Sequence, residues 1–227
     1  SQLTEIAVLM DNKKWEDAEK ILMKLSKTND SRVNYYLGHI YDAWDNPKED
    51  KEKARRFFSL AAESTNPVVG AFIWLSINEK NKTHSIRILR KGLWSFPKSE
   101  AIYYQLLNYT DPSERENIYK EIVEKEYVSE RINICMALTY FDLKKYEKAI
   151  GIISSFEAEE ERDRNVLACI KAFSLYEVGK FEEASKIFSK LIEEDINHKL
   201  NYIPNLGLIL ILLNQDRLSK VEQLIEE

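Results

Sequence analysis

Glycine and proline are scarce in this sequence, with 6 Gly and 5 Pro among 227 residues. Folds rich in β-sheet need many tight turns, which these two residues commonly supply, so their scarcity favours helices joined by short connections. The composition is otherwise that of a soluble globular protein, with 44% apolar and 31% charged residues. A chain of this length can bury a hydrophobic core, either in one large domain or in two small ones.

Three further absences exclude classes of function. The formal net charge is −5, so we expect no basic face for nucleic acid and no nucleic-acid partner. The longest apolar run, Leu206 to Leu213, is far shorter than the roughly 20 residues that span a bilayer, so we expect no membrane insertion. The first residues lack the regions of a signal peptide, and two cysteines cannot form a disulfide framework. We therefore predict an intracellular, cytoplasmic location.

A repeated pattern runs through the chain. The segments "KKYEKAIGII" and "GKFEEASKIF" share an aromatic residue, two polar residues and an alanine, and their alanines, Ala149 and Ala184, are 35 residues apart. The same pattern occurs near the start as "KKWEDAEKIL". Its extension predicts small residues at spacings of 36, 31, 32, 32, 35 and 35, namely Ala18, Ala54, Ser85, Asn117, Ala149, Ala184 and Ser219.

Most of these residues follow a helical stretch that carries a small residue of its own: Gly38, Ala137, Ala172 and Gly207. Each unit is therefore predicted to be a helix A, a short turn and a helix B, whose small side chains let the two backbones approach closely. A single helical hairpin cannot bury both of its faces, so the hairpins must stack. The predicted units of one array are 1–29, 30–66, 67–97, 98–128, 129–163, 164–198 and 199–227.

The spacing resembles the tetratricopeptide repeat (TPR). The matching residues are Ala137, Tyr140, Tyr146 and Ala149 in the fifth unit, Ala172, Gly179, Phe181, Ala184 and Phe188 in the sixth, and Gly92 and Pro97 in the third. The second unit is similar to the Sel1-like variant, with Leu37, Gly38, Tyr41, Asp50, Lys53, Ala54, Phe57, Phe58, Ala61 and Ala62. Its turn is longer, and we predict that Asn46-Pro47 begins the second helix. The resemblance implies an all-α, right-handed α-α superhelix (solenoid) of about seven TPR/Sel1-like helical hairpins.

Residues that carry chemistry are few. His39, His84 and His198 are scattered and have no metal-ligand spacing, and the sequence has no glycine-rich phosphate loop, nucleophile elbow or HExxH. We therefore expect no enzyme activity, no cofactor and no metal site. Cys135 and Cys169 are best explained as small apolar side chains in the packing, with a redox pair or a metal site as the open alternative.

The resemblance further implies that the A helices line a concave groove in which partners bind. The cluster of Lys, Arg and Asn with which chaperone-binding TPRs hold a terminal carboxylate is absent here, and the inward positions are largely aromatic and apolar. We therefore predict a non-catalytic scaffold that binds an apolar or amphipathic segment of a partner protein. The predicted contact residues are Tyr35, Tyr36, His39, Trp74, Arg131, Leu138, Phe141, Phe173 and Tyr176. Truncating Phe141, Phe173 and Tyr176 together is expected to abolish capture with the helical content intact.

Two alternatives stay open. The last A helix is apolar almost all round, as expected of a buried helix, and few residues follow to cover it. It could dock on a second copy to form a homodimer, through Leu208, Ile211 and Leu212. The chain could also be a regulatory domain of a larger enzyme, with the catalytic domain outside this sequence.

Overall fold

The computed structural model describes residues 2–28, 30–194 and 203–214. All regular structure in these ranges is helical, including one short 3-10 turn at Ser26–Thr28. The α-helices are α1 (Gln2–Asp11), α2 (Trp15–Leu25), α3 (Ser31–Asp42), α4 (Lys51–Glu63), α5 (Val69–Ile77), α6 (Lys82–Ser95), α7 (Glu100–Tyr109), α8 (Pro112–Glu124), α9 (Glu130–Asp142), α10 (Tyr146–Ile153), α11 (Glu161–Glu177), α12 (Phe181–Glu194) and α13 (Ile203–Asn214).

The chain divides into two compact units, Ser1–Thr110 and Asp111–Glu227. In the first, α1 packs on α2, α3 on α4 and α5 on α6, and each hairpin packs on the next. In the second, α9 packs on α10 and α11 on α12, with α13 against α11 and α12. The predicted all-α fold of stacked helical hairpins is confirmed. The boundary between the units falls inside the predicted repeat 98–128, and one continuous array stays a prediction.

Small residues in the B helices mark the closest approach of the helices. Ala18, Ala54, Ser85, Ala149 and Ala184 are each 0% exposed, and four positions later follow Leu22, Phe58, Leu89, Ile153 and Phe188, all buried. Residues four apart lie on one face of a helix, so this pair forms the buried stripe. Asn117 does not fit: it is exposed, and Ile118 and Ile122 form the stripe of α8. The prediction for Asn117 was wrong because the fourth repeat buries a large apolar residue, Ile118, at the next position. The predicted Ser219 lies outside the described residues.

The long turn of the second hairpin is organised by one buried amide. The Asn46 side chain donates from Nδ2 to the Ile40 carbonyl at 2.8 Å and accepts the Lys48 amide at 3.0 Å. The chain is thereby folded back on the end of α3 instead of entering a helix. Helix α4 begins later, at Lys51, with Asp50 as its N-cap. The predicted helix start at Asn46-Pro47 is therefore wrong.

Four of the short turns share one backbone geometry. The second residue after α1, α8, α9 and α11 has a positive φ: Lys13 at 57°, Glu126 at 54°, Lys144 at 57° and Gly179 at 80°. In each case that amide donates to the carbonyl three residues back, and the next amide to the carbonyl five back, at 2.8 to 3.2 Å. This is the Schellman arrangement, which satisfies the last helical carbonyls and reverses the chain.

Replacing Gly179 with alanine is expected to lower the free energy of unfolding by about 1 kcal/mol, because a β-carbon is strained at this positive φ. No neighbouring atom lies within 4 Å of the added carbon, so the cost is one of the backbone alone. The matched variant is Gly151→Ala, which also meets nothing within 4 Å but lies inside α10. Alanine should stabilise that helix by about 0.5–1 kcal/mol. Urea unfolding followed by far-ultraviolet circular dichroism measures both, and changes of the same sign would contradict the assignment.

Candidate functional site

The repeat determines which residues of the A helices face solvent. In α3, α9 and α11 the small residue of the helix is buried, and the residue that follows it is accessible. These pairs are Gly38 and His39, Ala137 and Leu138, and Ala172 and Phe173. A β-carbon on Gly38 would approach the Phe58 ring to 2.8 Å, which explains why this position cannot be larger. The packing of the hairpin thus fixes the accessible face of these three A helices.

Four of the predicted contact residues meet around Phe58, a fully buried ring of α4. Trp74 stacks on Phe58 with 4.4 Å between ring centroids, and His39 and Tyr35 approach it edge-on at 5.0 and 5.6 Å. His39 and Tyr35 are themselves 4.5 Å apart, and Tyr36 lies 6.1 Å from Tyr35. The four predicted residues are half-buried, so they contribute to the packing of α3, α4 and α5 and also remain partly accessible to solvent.

The polar atoms of this aromatic cluster are largely satisfied from within. Trp74 donates from Nε1 to Asp42 Oδ2 at 2.8 Å, and Lys51 Nζ donates to Asp42 Oδ1 at 2.8 Å. Burial lowers the pKa of His39, against a smaller opposing effect of Asp42, so its imidazole is neutral at pH 7. Burial likewise raises the pKa of Tyr35. The cluster therefore offers neutral aromatic surface, which suits binding rather than proton transfer.

In the second unit the predicted aromatic residues are half-buried, and each contacts another ring. The pairs are Phe141 and Tyr146 at 5.8 Å, Phe173 and Phe188 at 4.9 Å, and Tyr176 and Phe181 at 5.4 Å between centroids. Each contact joins an A helix to the B helix of the same hairpin. Truncating all three predicted residues would therefore remove packing as well as binding surface, and a cleaner probe has to lie outside these contacts.

Leu138 is a predicted contact residue that lies outside these ring contacts. Its side chain is 41% exposed although the adjacent residues Ala137 and Thr139 are 0% exposed. Arg131 lies two turns earlier on the same face of α9 and is exposed as well. On α11, which packs against α9, Val166 is 38% exposed. Val166 was missed from the sequence because it stands in a charged stretch.

The two cysteines are free thiols in the packing of the second unit. Cys169 is buried and Cys135 is half-buried, and burial raises the pKa of both thiols. A raised pKa keeps a thiol protonated at neutral pH and slow to react. In the described ranges no three His, Cys, Asp or Glu side chains gather in a group that could hold a metal ion. Among the helices described there, none has both the length and the apolar character needed to cross a membrane.

The predicted self-association residues lie on α13. Ile211 is 3% exposed and packs with Ala172, Leu175 and Phe188. Leu208 is half-buried against the same cluster. The side chain of Leu212 lies outside what the structure describes. Self-association through this helix stays a prediction.

One ion cluster could not be predicted from the sequence. The Glu116 carboxylate of α8 accepts a hydrogen bond from Lys145 Nζ through Oε2 and one from Lys148 Nζ through Oε1, the latter at 2.6 Å. The Glu116 side chain is 11% exposed. These bonds, led by that of Lys145, lower the pKa of Glu116 to about 2. The lysines follow Glu116 by 29 and 32 residues, so no local spacing reveals the contact.

Comparison with known proteins adds little to this geometry. No protein-family model matches the sequence, and no curated protein matches it. Among solved structures, the crystal structure of yeast Tom70 aligns with 94% of this chain and 54% of that chain, at 17% sequence identity and a TM-score of 0.34. The chain thus spans about half of the length of that structure. A likeness at this level assigns neither a family nor a function to the chain. The assignment rests on the hairpins themselves, which make the chain an all-α helical-repeat protein.

Proposed function

We propose that the chain is a non-catalytic scaffold of the TPR type, with a Sel1-like second hairpin, that binds an apolar or amphipathic segment of a partner protein along its A helices. The support is a register shared by three A helices, α3 in the first unit and α9 and α11 in the second. In these helices the residue after Gly38, Ala137 or Ala172 is accessible, and it is apolar or aromatic: His39, Leu138 and Phe173. Accessible apolar side chains that recur at a fixed position of a repeat are typical of an interaction surface.

The observation that carries the proposal is the exposure of Leu138. Helix α9 buries Ile132, Met136 and Ala137 at 0% exposure, yet Leu138 stands 41% exposed in the middle of it. Burying a fully exposed leucine contributes about 1.5–3 kcal/mol, so covering the 41% of Leu138 that is exposed contributes about 0.6–1.2 kcal/mol to binding. Leu138 is therefore the best candidate for an anchor point.

The partner segment is expected to be an amphipathic helix. Such a helix presents apolar side chains three and four residues apart to a hydrophobic surface and leaves its polar face in water. Arg131 lies seven residues before Leu138, about 10 Å along the helix axis. Arg131 is thus a second predicted contact point on the same face of α9.

Replacing Leu138 with glutamate is expected to weaken binding of the partner segment at least about tenfold, because the variant removes an apolar anchor and places a charge against an apolar surface. The matched control is Val123→Glu, since Val123 is 46% exposed on the B helix α8 of the same unit. Amphipathic peptides selected on the wild-type chain from a display library provide the ligand, and fluorescence anisotropy measures the affinity.

The control separates this proposal from a general effect of charge. Both variants add one negative charge to an exposed apolar position, so a loss of binding in Leu138→Glu alone supports the A-helix surface. Equal affinities for the wild type and Leu138→Glu would overturn the proposal, and so would an equal loss in the two variants. Thermal unfolding of each variant confirms that the helices remain folded.

A further inference from the structure

A groove in the second unit has an apolar floor. It lies between the end of α10, the connection at residues 156–158, α11 and α12, and its volume is about 620 Å³. Volumes of 300–1,000 Å³ are typical of ligand sites. The floor consists of buried and half-buried apolar side chains, among them Ile153, Phe156, Leu167, Ile187 and Leu191. The floor is thus a recessed hydrophobic surface.

The rim of this groove is cationic. Arg164 and Lys171 of α11 and Lys186 and Lys190 of α12 line it, and the described lining includes one carboxylate, Glu157. The whole chain has a net charge of −5, so this concentration of positive charge is opposite in sign to the rest of the protein. A concave surface lined by one sign of charge attracts the opposite sign.

The groove lies on a different face of α11 from the proposed partner surface. Arg164, Ala168 and Lys171 line the groove, and their spacings of four and three residues place them on one helix face. Phe173 follows Lys171 by two positions, and residues two apart point to different sides of a helix. Binding in the groove would therefore be independent of binding at Leu138 and Phe173.

Two lysines stand on opposite edges at the same level of the hairpin. Lys171 precedes Gly179, in the turn, by eight positions, and Lys186 follows it by seven. Helices α11 and α12 run antiparallel from this turn, so the two lysines lie at about the same level of the hairpin, and both line the groove. Within the described part of the chain, Lys171 and Lys186 form no ion pair with a carboxylate.

We propose that this groove binds an acidic amphipathic helix of a partner protein. Its apolar side chains would cover Phe156 and Ile187, and carboxylates on its two flanks would pair with Lys171 on one edge and Lys186 on the other. Arg164 fixes the adjacent connection by donating from Nη1 to the Ala158 carbonyl at 2.9 Å and to the Glu159 carbonyl at 2.5 Å.

A membrane surface fits this groove less well than a peptide. Binding to a flat bilayer needs apolar side chains that protrude into it. The apolar side chains here are recessed, and the residues that project around them are charged. A peptide helix lies along a groove with one face, so its apolar face and its carboxylates can be matched to the floor and the rim at the same time.

The test uses a synthetic peptide of about 15 residues with leucines and glutamates at helical spacing, followed by fluorescence anisotropy. The double variant Lys171→Gln/Lys186→Gln is expected to bind this peptide at least about tenfold more weakly than the wild type, since two charge pairs are lost. The matched control is Lys120→Gln/Lys144→Gln, which removes two exposed lysines of the same unit outside the groove. It should bind as the wild type does.

A second variant tests the floor without changing the charge. Ala168→Phe fills the groove and is expected to abolish peptide binding, with thermal unfolding as the check that it is folded.

A peptide with glutamine in place of glutamate should bind weakly to the wild type. The proposal is overturned if the double lysine variant binds like the wild type, or if vesicles containing phosphatidylserine bind while the acidic peptide does not. Leu138→Glu is measured beside the double lysine variant, because the A-helix surface also takes amphipathic helices: a loss of peptide binding in Leu138→Glu without a loss in the double lysine variant places the peptide on that surface and overturns the groove proposal.

Discussion

Replacing Phe58 with alanine is expected to lower the free energy of unfolding of the first unit by about 3–5 kcal/mol. The ring is 0% exposed, and it fills the space left free by the missing side chain of Gly38. Its removal leaves a cavity that Trp74, His39 and Tyr35 border, and these half-buried rings are held on two helices, α3 and α5, and cannot all collapse into it. The loss is therefore expected near the upper part of the range for large-to-small substitutions.

The four tryptophans make this loss easy to follow. All of them lie before residue 111, in the first unit, so tryptophan emission during urea unfolding follows that unit alone. Trp74 stacks on Phe58 at 4.4 Å, so its emission should also shift to the red in the folded variant. The control is Leu60→Ala on the same helix, which is 45% exposed and should change stability by less than about 1 kcal/mol. A loss below about 1 kcal/mol in Phe58→Ala would show that the cluster is not a unit of packing.

The sequence was sufficient to predict these packing positions because the space available between the two helices of a hairpin limits side-chain size at fixed positions, and these positions recur along the chain. A buried Ala, Ser or Gly in one helix requires a large apolar residue opposite, and the pair recurs in each hairpin. That logic predicts Gly38, Ala54 and Phe58 as packing residues, and the structure confirms all three as buried. It fails at Asn117, where the fourth repeat replaces the small residue by the Ile118 and Ile122 pair.

The candidate site was predictable only in part. The register placed His39 and Leu138 one position after a buried small residue, and both are accessible. The register could not decide whether Phe173 binds a partner or packs against Phe188, because a half-buried ring can contact the neighbouring helix and a partner at the same time. The basic groove was missed for a different reason: Arg164 and Lys190 are 26 residues apart, and only the antiparallel hairpin brings such cations together.

Replacing Glu116 with glutamine is expected to lower the free energy of unfolding of the second unit by about 1–3 kcal/mol at pH 7. Glutamine keeps the shape of the side chain but loses its charge, and its single oxygen can accept from only one of Lys145 and Lys148, while its amide nitrogen is a donor and cannot accept from the other. The lower part of the range is favoured because the two lysine side chains are 42% and 52% exposed, so water screens their charges. The control is Glu124→Gln, an exposed carboxylate on the same helix α8, which should have little effect.

The pH dependence distinguishes an electrostatic role from a steric one. The pKa of Glu116 is near 4.5 in an unfolded chain and about 2 in the folded protein, so folding favours the ionised form. Its contribution is complete above about pH 4.5 and is lost as the pH falls from there towards 2. The difference between the wild type and Glu116→Gln should therefore shrink over that interval. Because the second unit has no tryptophan, far-ultraviolet circular dichroism is the measurement, at several pH values between 7 and 3. A difference that stays constant with pH would mean that Glu116 acts through its shape alone.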